Sequence, residues 1–462
     1  MLIFFPLIAL LVQLAAASAV RLHRRVDIPT PPNDPFYNPP SGWKNASNGD
    51  ILRTREVDLA FLQLDKFNYK AAYQIMYRTT GTFEDEPSTT VTTVIVPYNA
   101  QPNKLLNYLV YTDAVGAQCR PSYGMRKGGN FGNDLALSFQ QLLLTTFLNE
   151  GYILSVPDYQ GPNRSFFVSR LEGRMVLDAA RAAIHFKPLG LNKNTPMVTY
   201  GYSGGSFAAG WAAALQPKYA PELNVIGFGM GGTVANLTNT VDSWEGTLFS
   251  GFSFASAAGY LFAYPKLQDW ARDRITSEGQ TALQHSRANC LVGTVISYPF
   301  QKLFSSEKYI KGKGNKLYDP VVQSIIGDMV MGLKKEETPK APIYMFHAHN
   351  DEIVPFSDAI KAAKKWANNG ADVFFQEFTD LFMGHIDSEL SNIPNVLFFV
   401  RDRFQGKQFP RGFTHKPIPN PLTSPNAPLK GLDALVKDIK SLIGAKVGPS
   451  DSILKGMIKN HS

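Results

Sequence analysis

Cysteine is nearly missing from this chain: its 462 residues include two, Cys119 and Cys290. No CxxC spacing occurs, so a thiolate metal site of that kind is excluded. Charge is also thin, at 18% Asp, Glu, Lys and Arg, and the balance is only mildly positive at +8. Three of the positive charges, Arg21, Arg24 and Arg25, fall in the first 25 residues with no acid among them, so the remainder is closer to neutral. No dense Lys/Arg run interleaved with aromatics appears, which argues against a nucleic-acid partner. Apolar runs long enough to span a membrane are missing too, apart from the extreme N-terminus and a doubtful stretch around 247–263. What is present is ordinary globular composition, with 44% hydrophobic residues and enough material for a large core with an inserted or appended subdomain.

The N-terminal run LIFFPLIALLVQLAAASA (2–19) has no charged residue and ends in Ala17-Ser18-Ala19, the small-residue pattern that signal peptidase accepts. Pro6 and Gln13 weaken it as a permanent anchor. Residues 1–19 are therefore expected to be a signal peptide, and 20–25 a short propeptide ending at the dibasic pair Arg24-Arg25. Export fits the acceptor sequences at Asn45, Asn163 and Asn236, with a fourth at Asn460. The expected location is extracellular, with no transmembrane segment in the mature chain. In that oxidising setting Cys119 and Cys290 are expected to pair, the alternative being two buried free thiols.

After a Pro-rich leader, short β-branched or aromatic runs alternate with helical patterns. TTVTTVIVPY (89–98), KLLNYLVYTDA (104–114), YILSVPDYQG (152–161), TPMVTYGYSGG (195–205) and LNVIGFGMGG (223–232) read as strands. Residues 135–151 and 173–186 have helical apolar spacing. Such alternation predicts right-handed crossovers and a largely parallel sheet. From about Thr233 to Pro342 the text is helical and irregular. Strands return at APIYMFHAH (341–349) and ADVFFQEF (371–378), with helices at 356–370 and 387–404. An inserted helical cap between the sixth and seventh strands is the simplest account of the break. From about 406 the chain is Pro-rich, and 429–447 places six aliphatic residues on one helical face.

The chemistry begins at Gly201-Tyr202-Ser203-Gly204-Gly205, a G-x-S-x-G sequence lying directly between a strand and a small-residue helix. A sharp turn there strains the serine and leaves its neighbours no room for bulky side chains. It also aims the hydroxyl at a helix head, whose free N–H groups favour a developing oxyanion. A serine hydroxyl needs a base, and the base needs an orienting carboxylate. The expected chain order is serine, acid, histidine. Among the downstream histidines His347, His349, His385, His415 and His461, only His385 stands on a strand-to-helix loop; His347 and His349 read as structural. Asp351 follows a strand end directly and is the expected acid, with Glu352 the runner-up. Asp158 stands in the wrong order and reads as a strand-end turn residue. For the oxyanion donors the expectation is the N–H of Gly204 and that of Asp113, after an earlier strand; no HGGG sequence is present.

With GYSGG, YTDAVGAQCRPSY (111–123), PDYQG (157–161), HNDEIVP (349–355) and GH (384–385) in one order, the chain resembles the fungal and yeast secretory lipases of the lipase A type. The resemblance runs from DPFYNPP (34–40) to the helix after His385. It implies an α/β-hydrolase fold, a mostly parallel central sheet with an inserted helical cap, and hydrolysis of triacylglycerols and related acyl esters. It carries the triad onto Ser203, Asp351 and His385, the oxyanion donors onto Asp113 and Gly204, and a lone disulfide onto Cys119 and Cys290. The layout it implies is core 26–216, cap 217–335 shaping an acyl tunnel, core 336–405, and a flap and tail 406–462. No metal or cofactor is called for. The partner is a lipid or acyl ester at an oil–water or membrane interface, met by a monomer. A general carboxylesterase or acyltransferase of the same fold, or a catalytically dead binding protein, is the alternative.

Overall fold

The computed structural model describes residues 28–60, 68–129 and 135–420. The leader 1–25, the helix expected at 429–447 and Asn460 lie outside them. Among the described residues one ten-stranded sheet forms, from β1 (Ile51–Glu56), β2 (Ala71–Thr80), β3 (Pro87–Val96), β4 (Leu105–Leu109), β5 (Ile153–Pro157), β6 (Met197–Tyr202), β7 (Val225–Gly231), β8 (Ile343–Ala348), β9 (Val373–Phe378) and β10 (Phe413–Ile418). The spatial order is β1-β2-β3-β5-β4-β6-β7-β8-β9-β10. Contacts from β1 to β5 along that order are antiparallel, and those from β5 to β10 are parallel.

The parallel strands are apolar on both faces because helices cover both. In β6, Val198, Tyr200 and Tyr202 point into one core with Leu143, Phe147 and Val396, while Met197 points into the other with Met175 and Trp211. Helices α1 (Leu135–Asn149) and α11 (His385–Phe404) cover the first face. Helices α2 (Ser169–His185), α3 (Gly204–Tyr219) and α10 (Phe356–Asn368) cover the second. Helices α2 and α3 approach so closely that a Cβ on Gly173 would lie 2.7 Å from the Trp211 carbonyl carbon.

Between β7 and β8 the chain leaves the sheet and builds a helical insertion: α4 (Leu237–Trp244), α5 (Gly251–Ala263), α6 (Pro265–Ala271), α7 (Ser277–Ala288), α8 (Leu291–Ser297) and α9 (Pro320–Ile326). The insertion follows the seventh strand, not the sixth: β1 and β2 precede the five strands legible ahead of it in the sequence. The interval 217–335 also contains β7, whose Gly229 and Met230 pair with Tyr344 and Met345 of β8, so the insertion proper starts after Gly232. Helix α5, most of the apolar stretch noted at 247–263, is cap core on one side: the Phe252 ring lies tilted against Trp244, and Gly259 packs on Phe166. Its other side, with Tyr260 and Leu261, lines an apolar cavity closed by Leu267, Phe304 and Ile310.

Cys119 and Cys290 form a disulfide, with Cα atoms 5.5 Å apart. It joins the loop after β4 to the start of α8. Residues 413–418, expected to belong to a flap, instead extend the sheet as β10, in register with β9. An edge position tolerates Pro417, whose missing N–H would break a ladder on an inner strand.

Candidate active site

Four strand ends deliver the expected residues to one edge of the sheet, the carboxyl end of the parallel strands. Ser203 follows β6, Asp113 follows β4, Asp351 follows β8, and His385 follows β9 as the first residue of α11.

Ser203 sits at φ 52° and ψ −122°, a strained backbone for a residue with a side chain. Its surroundings enforce the corner. The Ser203 N–H donates to Gly231 O on β7 at 2.9 Å, and the Ser203 carbonyl accepts from Ser206 N and Ser206 Oγ at 2.9 and 2.6 Å. Side chains at Gly201 and Gly205 would collide with the carbonyls of Gly205 and Leu109. A side chain at Gly204 would collide with the Asp113 carboxylate, so the Asp113 loop, itself at φ 43°, lies against the head of α3.

The Asp351 side chain is fully buried and its carboxylate is enclosed by donors. Oδ1 accepts from the backbone N–H groups of Ile353 and Val354 at 2.9 and 2.8 Å. Oδ2 lies 2.7 Å from His385 Nδ1. Burial works to raise its pKa, but the charge of His385 and the hydrogen bonds of His347 and His385 hold it well below the usual carboxylate range. For His385, burial works downward, and the charge and hydrogen bond of Asp351, with Glu352 and Glu389 behind them, outweigh it and raise the imidazole pKa. His385 Nε2 is buried and has no hydrogen-bond partner among the described residues. The ring lies against residues that flank the serine corner: a Cβ on Gly232, the residue after Gly231, would be 2.7 Å from His385 Cε1, and the Tyr202 ring centre is 5.0 Å from the imidazole centre.

Several supporting residues were not evident in the sequence. Tyr202 Oη, one residue before the serine, donates to His385 O at 2.5 Å. Glu352, the runner-up acid, does not reach Nδ1; it accepts from the His385 backbone N–H at 2.9 Å and so caps α11. His347, read as structural, is fully buried. Its Nδ1 accepts from Thr233 N at 3.3 Å, and its Nε2 lies 3.1 Å from both Val354 O and Asp351 Oδ2. The signal was there in outline, since residue 347 lies one residue before the end of a strand and four before the acid. Glu389, one turn after His385, accepts from Gln140 Nε2 at 2.7 Å and Tyr111 Oη at 3.2 Å; burial pushes its pKa up to about 8.

The other candidates are accounted for elsewhere. His349 Nδ1 and His415 Nε2 lie 2.6 and 2.7 Å from the two oxygens of Glu377. Asp158 is buried and accepts from Ser122 N and Oγ at 2.9 and 2.5 Å, which pins the turn before α1. No cluster of three or more His, Cys, Asp or Glu with metal-binding geometry occurs among the described residues. No helix among them is long and apolar enough to cross a membrane.

A profile of the family described as "Secretory lipase" matches residues 130–412. The chain belongs to the secretory lipase family. Among the members of that family to which it is similar is the secreted triacylglycerol lipase LIP3 of Malassezia restricta, 49% identical over 96% of this chain and 95% of the relative. A second is the secreted triacylglycerol lipase LIP5 of Malassezia furfur, 56% identical over 83% of this chain and all of the relative. The crystal structure of Candida antarctica lipase A in its closed state superposes with a TM-score of 0.80 at 29% identity, covering 89% of this chain and 95% of that one. The Xanthomonas oryzae esterase LipA shares the fold, at TM-score 0.59 and 15% identity. This secretory lipase therefore has the α/β-hydrolase architecture expected from the sequence.

Proposed function

We propose that this chain is a secreted triacylglycerol lipase, working through Ser203, His385 and Asp351 and a covalent acyl-enzyme. The observation that carries the reading is the Asp351–His385 pair at 2.7 Å, with Nε2 buried and without a partner among the described residues and the imidazole against Gly232, next to the Gly231 carbonyl that accepts from Ser203 N. In the proposed reaction Ser203 Oγ attacks the ester carbonyl while His385 Nε2 takes its proton. The tetrahedral oxyanion is held by the N–H groups of Gly204 and Asp113. His385 returns the proton to the leaving alcohol, and Asp351 stabilises the imidazolium throughout. Water, deprotonated by His385, then releases the fatty acid and frees the serine. The substrate class rests on the relatives' names and on their match over nearly the whole chain.

The reading includes a layout of core, cap and second core segment, a cleaved leader ending at 19 or 25, and glycans. Asn45 and Asn163 are exposed and are the better acceptors; Asn236 spends its side-chain oxygen on the N-cap of α4. The decisive assay offers purified protein emulsified triolein, tributyrin and a peptide amide. Release of fatty acid is expected, with fluorophosphonate labelling of wild type and none of Ser203→Ala. Cleavage of the amide alone, or equal labelling of both proteins, would overturn the proposal.

A further inference from the structure

Five exposed large apolar side chains flank one loop, the 351–354 turn that carries the acid. On one side, Leu381 and Phe382 are 78% and 75% exposed. They form the tip between β9 and α11. The tip is turned by Asp380 Oδ1 accepting from Phe382 N at 3.0 Å, and its far end is held where Glu352 accepts from His385 N. On the other side are Ile296 and Phe300, each 67% exposed, and Leu248 at 47%. These three emerge together: Phe300 N donates to Thr247 O at 2.7 Å, Gly246 N to Gln301 O at 2.9 Å, and Ser250 Oγ to Tyr298 O at 2.5 Å. The same loop anchors this wall, because the Trp244 indole N–H donates to Ile353 O at 2.8 Å.

Charge gives the pair of walls a direction. Lys302, Lys308, Lys311 and Lys313 are all exposed on the segment that follows Phe300, against one exposed acid, Glu307. Glu245, three residues before Leu248, is turned inward and accepts from the backbone N–H groups of Leu303, Phe304 and Ser305; on the other wall Asp380 and the exposed Glu352 accept from the N–H groups of Phe382 and His385. Apolar tips at the carboxyl end of the sheet, with lysines behind the cap-side set, match a surface with hydrocarbon beneath and anionic groups above.

We propose that these two walls form one docking face for an anionic lipid–water surface. Leu381 and Phe382 enter the acyl layer beside His385, Leu248, Ile296 and Phe300 enter on the cap side, and the lysines meet the head groups. This deepens the lipase reading and rests on it for the relevance of a lipid surface. Docked this way, the protein turns toward the lipid the end of the sheet at which Ser203 and His385 stand.

The test is co-sedimentation of the full chain with vesicles of phosphatidylcholine alone and of phosphatidylcholine mixed with phosphatidylglycerol. Ile296→Ser with Phe300→Ser, and Leu381→Ser with Phe382→Ser, are each expected to lower the partition coefficient about tenfold or more. Lys302→Glu with Lys308→Glu is expected to lose binding on the mixed vesicles and little on phosphatidylcholine alone. Turnover of a dissolved acetate ester should be unchanged in the Ile296/Phe300 variant, and thermal melts should report intact folding. Vesicle binding by both apolar variants equal to wild type overturns the proposal. So does a shift from dimer to monomer in sedimentation with vesicle binding unaltered, which would make the face a contact between copies. If the wild type binds vesicles but cleaves no ester, the proposed function fails and the docking face stands.

Discussion

At the scale of single residues, the catalytic pair is held by unequal forces. Asp351 receives two backbone donors on one oxygen and His385 on the other, so its position is fixed before any substrate arrives. Asp351→Asn is expected to lower kcat about ten-thousand-fold with little change in KM. The pH profile has a defined sign. A base works when neutral, and the pKa of His385 is raised above the ordinary 6.5 mainly by Asp351 working against burial. The acid limb of kcat/KM is therefore expected above 6.5 in wild type, and at lower pH in the residual activity of Asp351→Asn. His347 touches Oδ2 of the same acid. His347→Ala is expected to lower kcat more than it raises KM, and His347→Gln, which keeps a donor, to recover part of the loss. Glu389 offers a stability test instead. Its pKa of about 8, against an ordinary 4.5, arises from burial. Its contribution is fully present below about 4.5 and lost as pH rises through about 8. Glu389→Gln should flatten the fall of Tm across that window.

At the scale of elements, the inner strands were legible because they are short apolar runs bounded by turn residues, and β4 to β9 each lie within an expected segment. The strands β1, β2 and β10 were not. In β2 the polar Gln74 and Arg78 interrupt the pattern, yet both are used: Gln74 accepts from Arg55 Nε at 2.8 Å, and Arg78 bonds Asn48. Such partners lie in other parts of the chain, and no local period announces them. In β10, Pro417 and His415 argue against a strand until β9 is seen alongside, with Glu377 waiting for the histidine. Within the site, Ser203, Asp351 and His385 could be placed because each follows a strand end. Glu389, Gln140 and Tyr111 meet across three elements, and their meeting could not be read from any one of them. The end of β7 provides a sharper test of how elements position the base. Gly232 has φ 53°, and a methyl there would press on His385 Cε1. Gly232→Ala is expected to cost about a hundredfold in kcat by displacing the imidazole, with Ser203 still labelled by a fluorophosphonate, though slowly.

At the scale of the whole molecule, the disulfide closes a separation of 171 residues. Cross-linking so long a loop contributes about 5 kcal/mol by chain entropy. Replacing both cysteines by serine should lower Tm by several degrees, measurable by calorimetry with and without reductant. The bridge also decides how the cap can behave. Its two chain ends are continuous with β7 and β8, and Cys290 adds a third fastening on the loop that follows Asp113. A plate bolted at three corners does not swing like a door. Any widening above the serine must come from helices sliding within the insertion, so a chemical staple between α5 and α8 should throttle entry of bulky esters while small ones pass.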